Sequence, residues 1–259
     1  MNLMKSSQGN IILSPDFPQA EEWMESLPKV FEREGELLFR RRNILKQFAS
    51  PCGVVVAKKY KLPGFPGRVF QEWIHPSKAH LAFDNSKRLL SLGIDTPAPV
   101  GFHFRRKGLI LKEEYYVCLK EELPTALTLI RRGNGIDGTL ADALASHIAY
   151  MHSKGVRHND LTLSNFLVER SSEGFRFSMV DTDRCTFHES MSSLQCFWDL
   201  RRVSRDKEVH RRIMRSYALC RGWNPEKTLR KVDFLKAFFE MRKKLLFASR
   251  DLRALLKKK

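Results

Sequence analysis

Cysteine is scarce and scattered in this chain. The five residues Cys52, Cys118, Cys185, Cys196 and Cys220 are odd in number and form no C-x-x-C pair, which disfavours a disulfide framework or a zinc cage and suits a reducing cytosol. Long apolar runs are missing as well: nothing approaches the ~18 residues of a membrane span. Ahead of Ser14 and Pro15 the N-terminus holds only Ile11-Ile12-Leu13, too short for a signal-peptide core. The expectation is a soluble, cytoplasmic protein. Repeats at solenoid spacing and low-complexity tracts are absent. Acid is in short supply too, with 29 Asp and Glu against 46 Lys and Arg. The resulting charge of +17 and a pI near 9.9 predict an anionic partner: nucleic acid, an acidic membrane face or a phosphorylated substrate. No nucleic-acid recognition motif accompanies that charge, so nucleic acid is not expected.

What is present centres on Gly155–Val168, GVRHNDLTLSNFLV. His158-x-Asp160 is followed by Asn165 and then by Phe166-Leu167-Val168, an apolar run that reads as a short buried strand. After a Ser171–Gly174 turn, Met179-Val180 reads as a second strand and ends in Asp181. Transfer of a phosphoryl group from a nucleoside triphosphate to a hydroxyl needs a carboxylate at that hydroxyl and oxygen ligands for Mg²⁺. Asp160 suits the first task. Asn165 and Asp181 suit the second, because Mg²⁺ takes one or two hard oxygen donors from protein and fills its shell with phosphate and water. The pattern resembles the kinase catalytic loop H-x-D-x-x-x-x-N followed by a metal-binding Asp. In place of D-F-G the chain reads Asp181-Thr182-Asp183, and Asp183 either assists the metal or faces water.

Upstream, residues 19–31 suggest a short helix interrupted by Pro28. Glu36–Phe39 and Ile44–Phe48 flank Arg40–Asn43 as a hairpin. Val54-Val55-Val56-Ala57 is the strongest β-branched run and ends at Lys58-Lys59, where a kinase places its phosphate-binding lysine. Lys58 matches that position; Lys59 remains the alternative because strand neighbours face opposite sides. A helix over Pro76–Leu92, closed by Gly93, contains one acid, Asp84, the candidate partner for the lysine by elimination. Strands follow at Val100–Phe104 and Tyr115–Leu119, making Glu121–Leu123 the positional candidates for backbone contacts to adenine. Pro124 marks a boundary between lobes. Thr139 and Asp142 suggest a capping box on a helix with the stripe Leu140, Leu144, Ile148 and Met151, stopping at Gly155. His158 reads as a scaffold that holds the catalytic loop. Helices then occupy 194–203, 207–221 and 225 onward. The stripe Phe238, Met241, Leu245, Ala248, Leu252 and Leu255 in the last one reads as a core-facing side with basic flanks, membrane contact being secondary.

These residues resemble the bacterial lipopolysaccharide kinase family, the Kdo and heptose kinases grouped with InaA-like proteins. The resemblance rests on Gly35-Glu36 with Arg42-Asn43, Val56–Tyr60, Pro76–Ala79, Leu92–Pro99, His158–Asp160 with Asn165, and Val180–Arg184. It implies an α+β, bilobal protein-kinase-like fold: an N-terminal antiparallel sheet with one main helix and a mostly helical C-terminal lobe. The expected divisions are an extension over 1–30, a nucleotide-binding lobe over 31–123 and a helical lobe over 124–259. ATP and Mg²⁺ are implied, with transfer of the γ-phosphoryl group to a Kdo or heptose hydroxyl of the lipopolysaccharide inner core. Lys58 would bind phosphate, Asp160 act as base, and Asn165 and Asp181 hold metal. The glycine-rich loop is missing, which leaves Arg41, Arg42, Asn43 and backbone N–H groups to cover the phosphates. An anionic glycolipid acceptor, a monomeric state and peripheral contact with the inner membrane complete the expectation. An atypical protein kinase and a pseudokinase or basic binding module are the alternatives.

Overall fold

The β-branched run through Val55 forms β5 (Gly53–Lys59), an inner strand of a seven-stranded antiparallel sheet. Its companions are β1 (Lys5–Ser6), β2 (Gly9–Leu13), β3 (Glu36–Arg40), β4 (Ile44–Ser50), β6 (Pro99–Lys107) and β7 (Ile110–Leu119), in the order β1-β2-β6-β7-β5-β4-β3. This computed structural model describes residues 5–6, 9–62, 76–107, 110–132 and 135–256. They fall into two units, 1–123 with 178–184 and 124–177 with 185–259.

Strand alternation gives the sheet two apolar faces, and each is covered by a helix. On one face α1 (Glu21–Arg33) packs Met24, Leu27 and Phe31 against Phe48, Val55, Ala57, Tyr115 and Val117. On the other, α2 (Lys78–Ser91) packs Ala79, Ala82 and Phe83 against Tyr60, Phe102 and Tyr116. Among the described residues of the first unit, α1 thus joins α2 in covering the sheet and contributes Met24, Leu27 and Phe31 to its core. Pro28 does not interrupt α1; three buried side chains spaced i, i+3 and i+7 hold the helix through the missing N–H. The Ser77 hydroxyl caps α2 by accepting the His80 N–H at 3.3 Å, and the buried Glu114 carboxylate accepts the Ala79 N–H at 3.0 Å.

The second unit is mostly helical. Its central helix α3 (Gly138–Ser153) is capped by Asp137, which accepts the Leu140 N–H at 3.1 Å. The expected Thr139/Asp142 capping box is absent because Asp142 is engaged by Arg212 and Ser216. Leu140, Leu144, Ile148 and Met151 are all fully buried. The hairpin β8 (Phe166–Ser171) and β9 (Gly174–Met179) follows, then α4 (Ser193–Leu200), α5 (Lys207–Cys220) and α6 (Pro225–Leu256). α4 starts in a true capping box between Ser192 and Gln195.

α3 ends at Gly155, whose φ is +74° and whose missing Cβ would lie 1.8 Å from the His188 carbonyl oxygen. A side chain there meets both left-handed strain and fixed backbone. Gly155→Ala should lower unfolding stability by about 2 kcal/mol or more, read as a lower urea midpoint at unchanged slope.

In α6 the expected core stripe faces outward. Phe238, Met241 and Leu245 are 42, 53 and 63% exposed, while Leu229 and Val232 on the opposite side are buried. The helix packs against α4 and α5, and that contact selects the Leu229/Val232 side. The side chains of Ala248, Leu252 and Leu255 lie outside the described residues.

Candidate active site

β5 sends its last two side chains to opposite faces of the sheet. Lys59 points to the α1 side, pairs with Glu32 and lies 5.7 Å from the Phe31 ring centroid. Lys58 points to the α2 side, over the Tyr60 ring at 4.6 Å, pairs with Asp181 and stands 3.6 Å from Asp183. Of the two candidate lysines, Lys58 is the one brought to Asp181.

Asp84 is not its partner. Its side chain is 58% exposed and pairs with His80 at 3.0 Å, one turn back on the same helix. The inward face of α2 is set by Ala79, Ala82, Phe83, Ser86 and Leu89, and position 84 falls outside it. α2 instead holds the Asp-Thr-Asp turn through neutral polar groups. The Asn85 amide donates to the Thr182 carbonyl at 2.8 Å, and the Ser86 hydroxyl lies 3.0 Å from both the Thr182 and Tyr116 hydroxyls. The Met179 N–H donates to the Asp95 carbonyl at 2.8 Å. These bonds draw 178–184 into the first unit, although an undivided stretch 124–259 was expected for the helical lobe. Asp181 adopts φ +63°, a left-handed conformation that Asp tolerates better than most residues.

Asp183 does not face water: its side chain is 8% exposed. Burial raises its pKa and the Asp181 charge adds to that, against the opposing Lys58 charge. Lys78, whose pKa is lowered by burial and then by Arg42, also feels the Asp183 charge. Arg41 and Arg42 are exposed in the turn between β3 and β4, where the Arg41 N–H donates to the Asn43 carbonyl and Asn43 Oδ1 accepts the Lys61 N–H at 3.2 Å. Glu121 and Leu123 are half-buried in the extended end of the first unit.

In the second unit the His158–Asn165 loop hangs from one carboxylate that the sequence reading passed over. Asp199, in α4, is 1% exposed. Its two oxygens accept the N–H groups of His158 (2.8 Å) and Asn159 (2.7 Å), and His152 Nε2 lies 3.4 Å away. His152 Nδ1 in turn meets the Tyr217 hydroxyl at 2.8 Å. Asn159 is left-handed at φ +64°. The His158 ring accepts the Asp160 N–H at 3.3 Å, and the Asn165 amide nitrogen donates to the Asp160 carbonyl at 2.9 Å. The Asp160 carboxylate pairs with Arg202 at 2.6 Å. A clue to Asp199 was present: an acid between Phe197-Trp198 and Leu200 in an apolar helix must find partners if buried.

The pKa shifts in this cluster carry a stability signature. Burial lowers the His152 value, but hydrogen bonds and charge from Asp199 and Cys196 outweigh it and the net shift is upward. For Asp199 burial acts upward, and the His152 and His158 contacts reverse it to a net lowering. The histidine term is thus complete below pH about 6.5 and is lost as pH rises through its raised folded value. The aspartate term is complete above pH about 4 and is lost as pH falls through its depressed folded value. Stability should therefore decline on both sides of a mildly acidic plateau, and His152→Gln should flatten the alkaline limb of urea midpoint against pH.

Hard oxygen donors fit a magnesium ion here. Asp181 and Asp183 bring two carboxylates together in the first unit, the second raised in pKa by burial against the opposing Lys58 charge; within the second unit, Asn165 carries an amide oxygen of the same hard type. Among the described residues no group of three or more His, Cys, Asp or Glu side chains is placed to hold a metal ion.

The profile of the "Lipopolysaccharide kinase (Kdo/WaaP) family" matches residues 41–209, a stretch that contains Lys58, Asp160, Asn165, Asp181 and Asp199. The chain belongs to this family. Two 3-deoxy-D-manno-octulosonic acid kinases of Vibrio vulnificus are similar to it. The one from strain CMCP6 is 26% identical over 54% of this chain and 63% of its own length. The one from strain YJ016 is 27% identical over 45% and 47%. The match thus spans less than two thirds of either relative. A solved structure of WaaP in complex with acyl carrier protein aligns with a TM-score of 0.56 at 19% identity, covering 92% of this chain and 99% of that one. The fold of this family member is accordingly α+β and protein-kinase-like.

Proposed function

We propose that this lipopolysaccharide kinase family member transfers the γ-phosphoryl group of ATP to a hydroxyl of Kdo (3-deoxy-D-manno-octulosonic acid) in the lipopolysaccharide inner core, working in the cytoplasm at the inner-membrane face. The observation that carries the reading is the pairing of Lys58 with Asp181 in a family whose profile also spans the His158–Asn165 loop. The names of the Vibrio relatives favour Kdo over heptose.

Lys58 would hold the phosphates, and Asp181, the carboxylate it pairs with, would serve as a metal ligand. Asp181, Asp183 and Asn165 would hold Mg²⁺, which supplies charge neutralisation on the triphosphate. Arg41, Arg42 and Asn43 cover the phosphates in place of a glycine-rich loop, and the backbone of Glu121–Leu123 receives adenine. Asp160 accepts the acceptor hydroxyl's proton as the oxygen forms its bond to the γ-phosphorus and the bond to the β-phosphate oxygen breaks, releasing ADP. The Asp199 clamp keeps that carboxylate in place by fixing the two backbone N–H groups before it.

The test is mass spectrometry of core oligosaccharide from a host strain lacking this protein, before and after complementation. One phosphate on Kdo should be missing and should return with the wild type, not with Lys58→Met. Return on heptose would reassign the acceptor, and an unchanged core would reject the sugar-kinase reading.

A further inference from the structure

Helix α6 carries an apolar face that the described residues leave exposed. Phe234, Phe238, Met241 and Leu245 are 70, 42, 53 and 63% exposed. At 3.6 residues per turn they fall within an arc of about 60° and run for about 17 Å. Leu229 and Val232, which are buried, lie on the opposite side of the helix. An exposed row of two phenylalanines, a methionine and a leucine costs solvation unless something covers it.

The surroundings of the row select the cover. Lys227, Arg230 and Lys231 continue the same face toward the helix start, and Arg242 and Lys244 flank its far end; all five are exposed. Of the nearby acids, Glu226 is engaged by Arg215 at 3.0 Å and Asp233 faces His210 at 3.3 Å, while Glu240 sits beyond the edge of the arc. The whole chain is +17. Aromatic and aliphatic side chains between cations are what an interfacial helix presents to anionic headgroups, its apolar side sunk to the acyl boundary and its cations left at phosphate level. No helix among the described residues is long and apolar enough to cross a bilayer, so the contact lies along the surface.

We propose that the Phe234–Leu245 face of α6 docks the protein on a bilayer of anionic phospholipid. The inference deepens the proposed function by naming the surface on which a glycolipid acceptor is met, yet its test needs neither ATP nor sugar and can succeed or fail independently. Full-length protein is sedimented with vesicles of phosphatidylcholine containing 30% phosphatidylglycerol, and with vesicles of phosphatidylcholine alone. Wild type should bind the anionic vesicles at least tenfold better than the neutral ones and release in high salt. The triple variant Phe234→Ser/Phe238→Ser/Met241→Ser should lose at least tenfold in partitioning. These positions are exposed, so unchanged circular dichroism and urea midpoint keep the variant interpretable; a misfolded triple is replaced by Phe234→Ser alone, with a threefold or greater loss required. Equal binding to neutral vesicles, no binding by wild type, or unaltered binding by the variant overturns the proposal. A wild-type dimer that the triple variant dissolves without any vesicle binding overturns it in favour of a second copy as the cover.

Discussion

Replacing Asp160 by asparagine is expected to reduce kcat by about 10³-fold, within the ~10²–10⁴ contributed by a positioned general base. The substitution is nearly isosteric and keeps the backbone bonds through which the Asp160 N–H meets the His158 ring and its carbonyl meets Asn165. What disappears is the carboxylate to which the proposed mechanism gives the hydroxyl proton. The ion pair with Arg202 weakens at the same time, but at 37% exposure the guanidinium finds water. Binding of Mg-ADP, read by thermal shift, should be unchanged because Lys58 and Asp181 are untouched. A variant retaining more than about a tenth of wild-type kcat would remove Asp160 from the role of base, since that loss falls below the range for the group.

Asp199→Ala should be the most destabilising single change in the helical unit, at about 3–5 kcal/mol. It strips the acceptors from the His158 and Asn159 N–H groups and leaves His152, 1% exposed, without its carboxylate. Two buried donors and an uncompensated imidazole are among the few mechanisms that produce losses of this size. Asp199→Asn keeps one acceptor oxygen and should cost about 1–3 kcal/mol. Hydrogen exchange separates a local from a global effect: in the Asn variant the His158 and Asn159 amides should lose protection before the α3 amides do. Equal protection in variant and wild type would mean that the loop is held by something other than this carboxylate.

Legibility in the sequence followed the reach of each signal. Strands β3 to β7 and the helical stripe Leu140–Met151 were readable because periodicity of two or 3.6 reports one face of one element. Asp160, Asn165 and Asp181 could be marked as candidates because their mutual spacing is set by short loops, and Lys58 because it ends the strongest β-branched run. Asp84 failed as a partner for Lys58 because elimination within a helix ignores which face turns inward; the groups used there are Asn85 and Ser86, whose amide and hydroxyl look unremarkable in a sequence. The Thr139 cap failed by two residues for a related reason, since Asp142 answers to Arg212, seventy residues away.

The α6 stripe marks the limit of pattern reading. Phe238, Met241 and Leu245 form an apolar row whether the row meets protein or solvent. Hydrophobic periodicity identifies a side of a helix, while burial depends on what arrives opposite it. Leu229 and Val232, only a few residues away, were the ones that did meet α4 and α5.

The sequence by itself determined the order of strands and helices, the lysine at the end of β5, and the spacing of the Asp, Asn and Asp side chains, all consequences of local period and loop length. Only tertiary structure decided that Lys58 and not Lys59 reaches Asp181, that Asp183 is buried beside it, and that one aspartate in α4 suspends the His158–Asp160 turn. Those outcomes depend on which face a distant element covers and on buried donors finding acceptors, and neither is written in the neighbours along the chain.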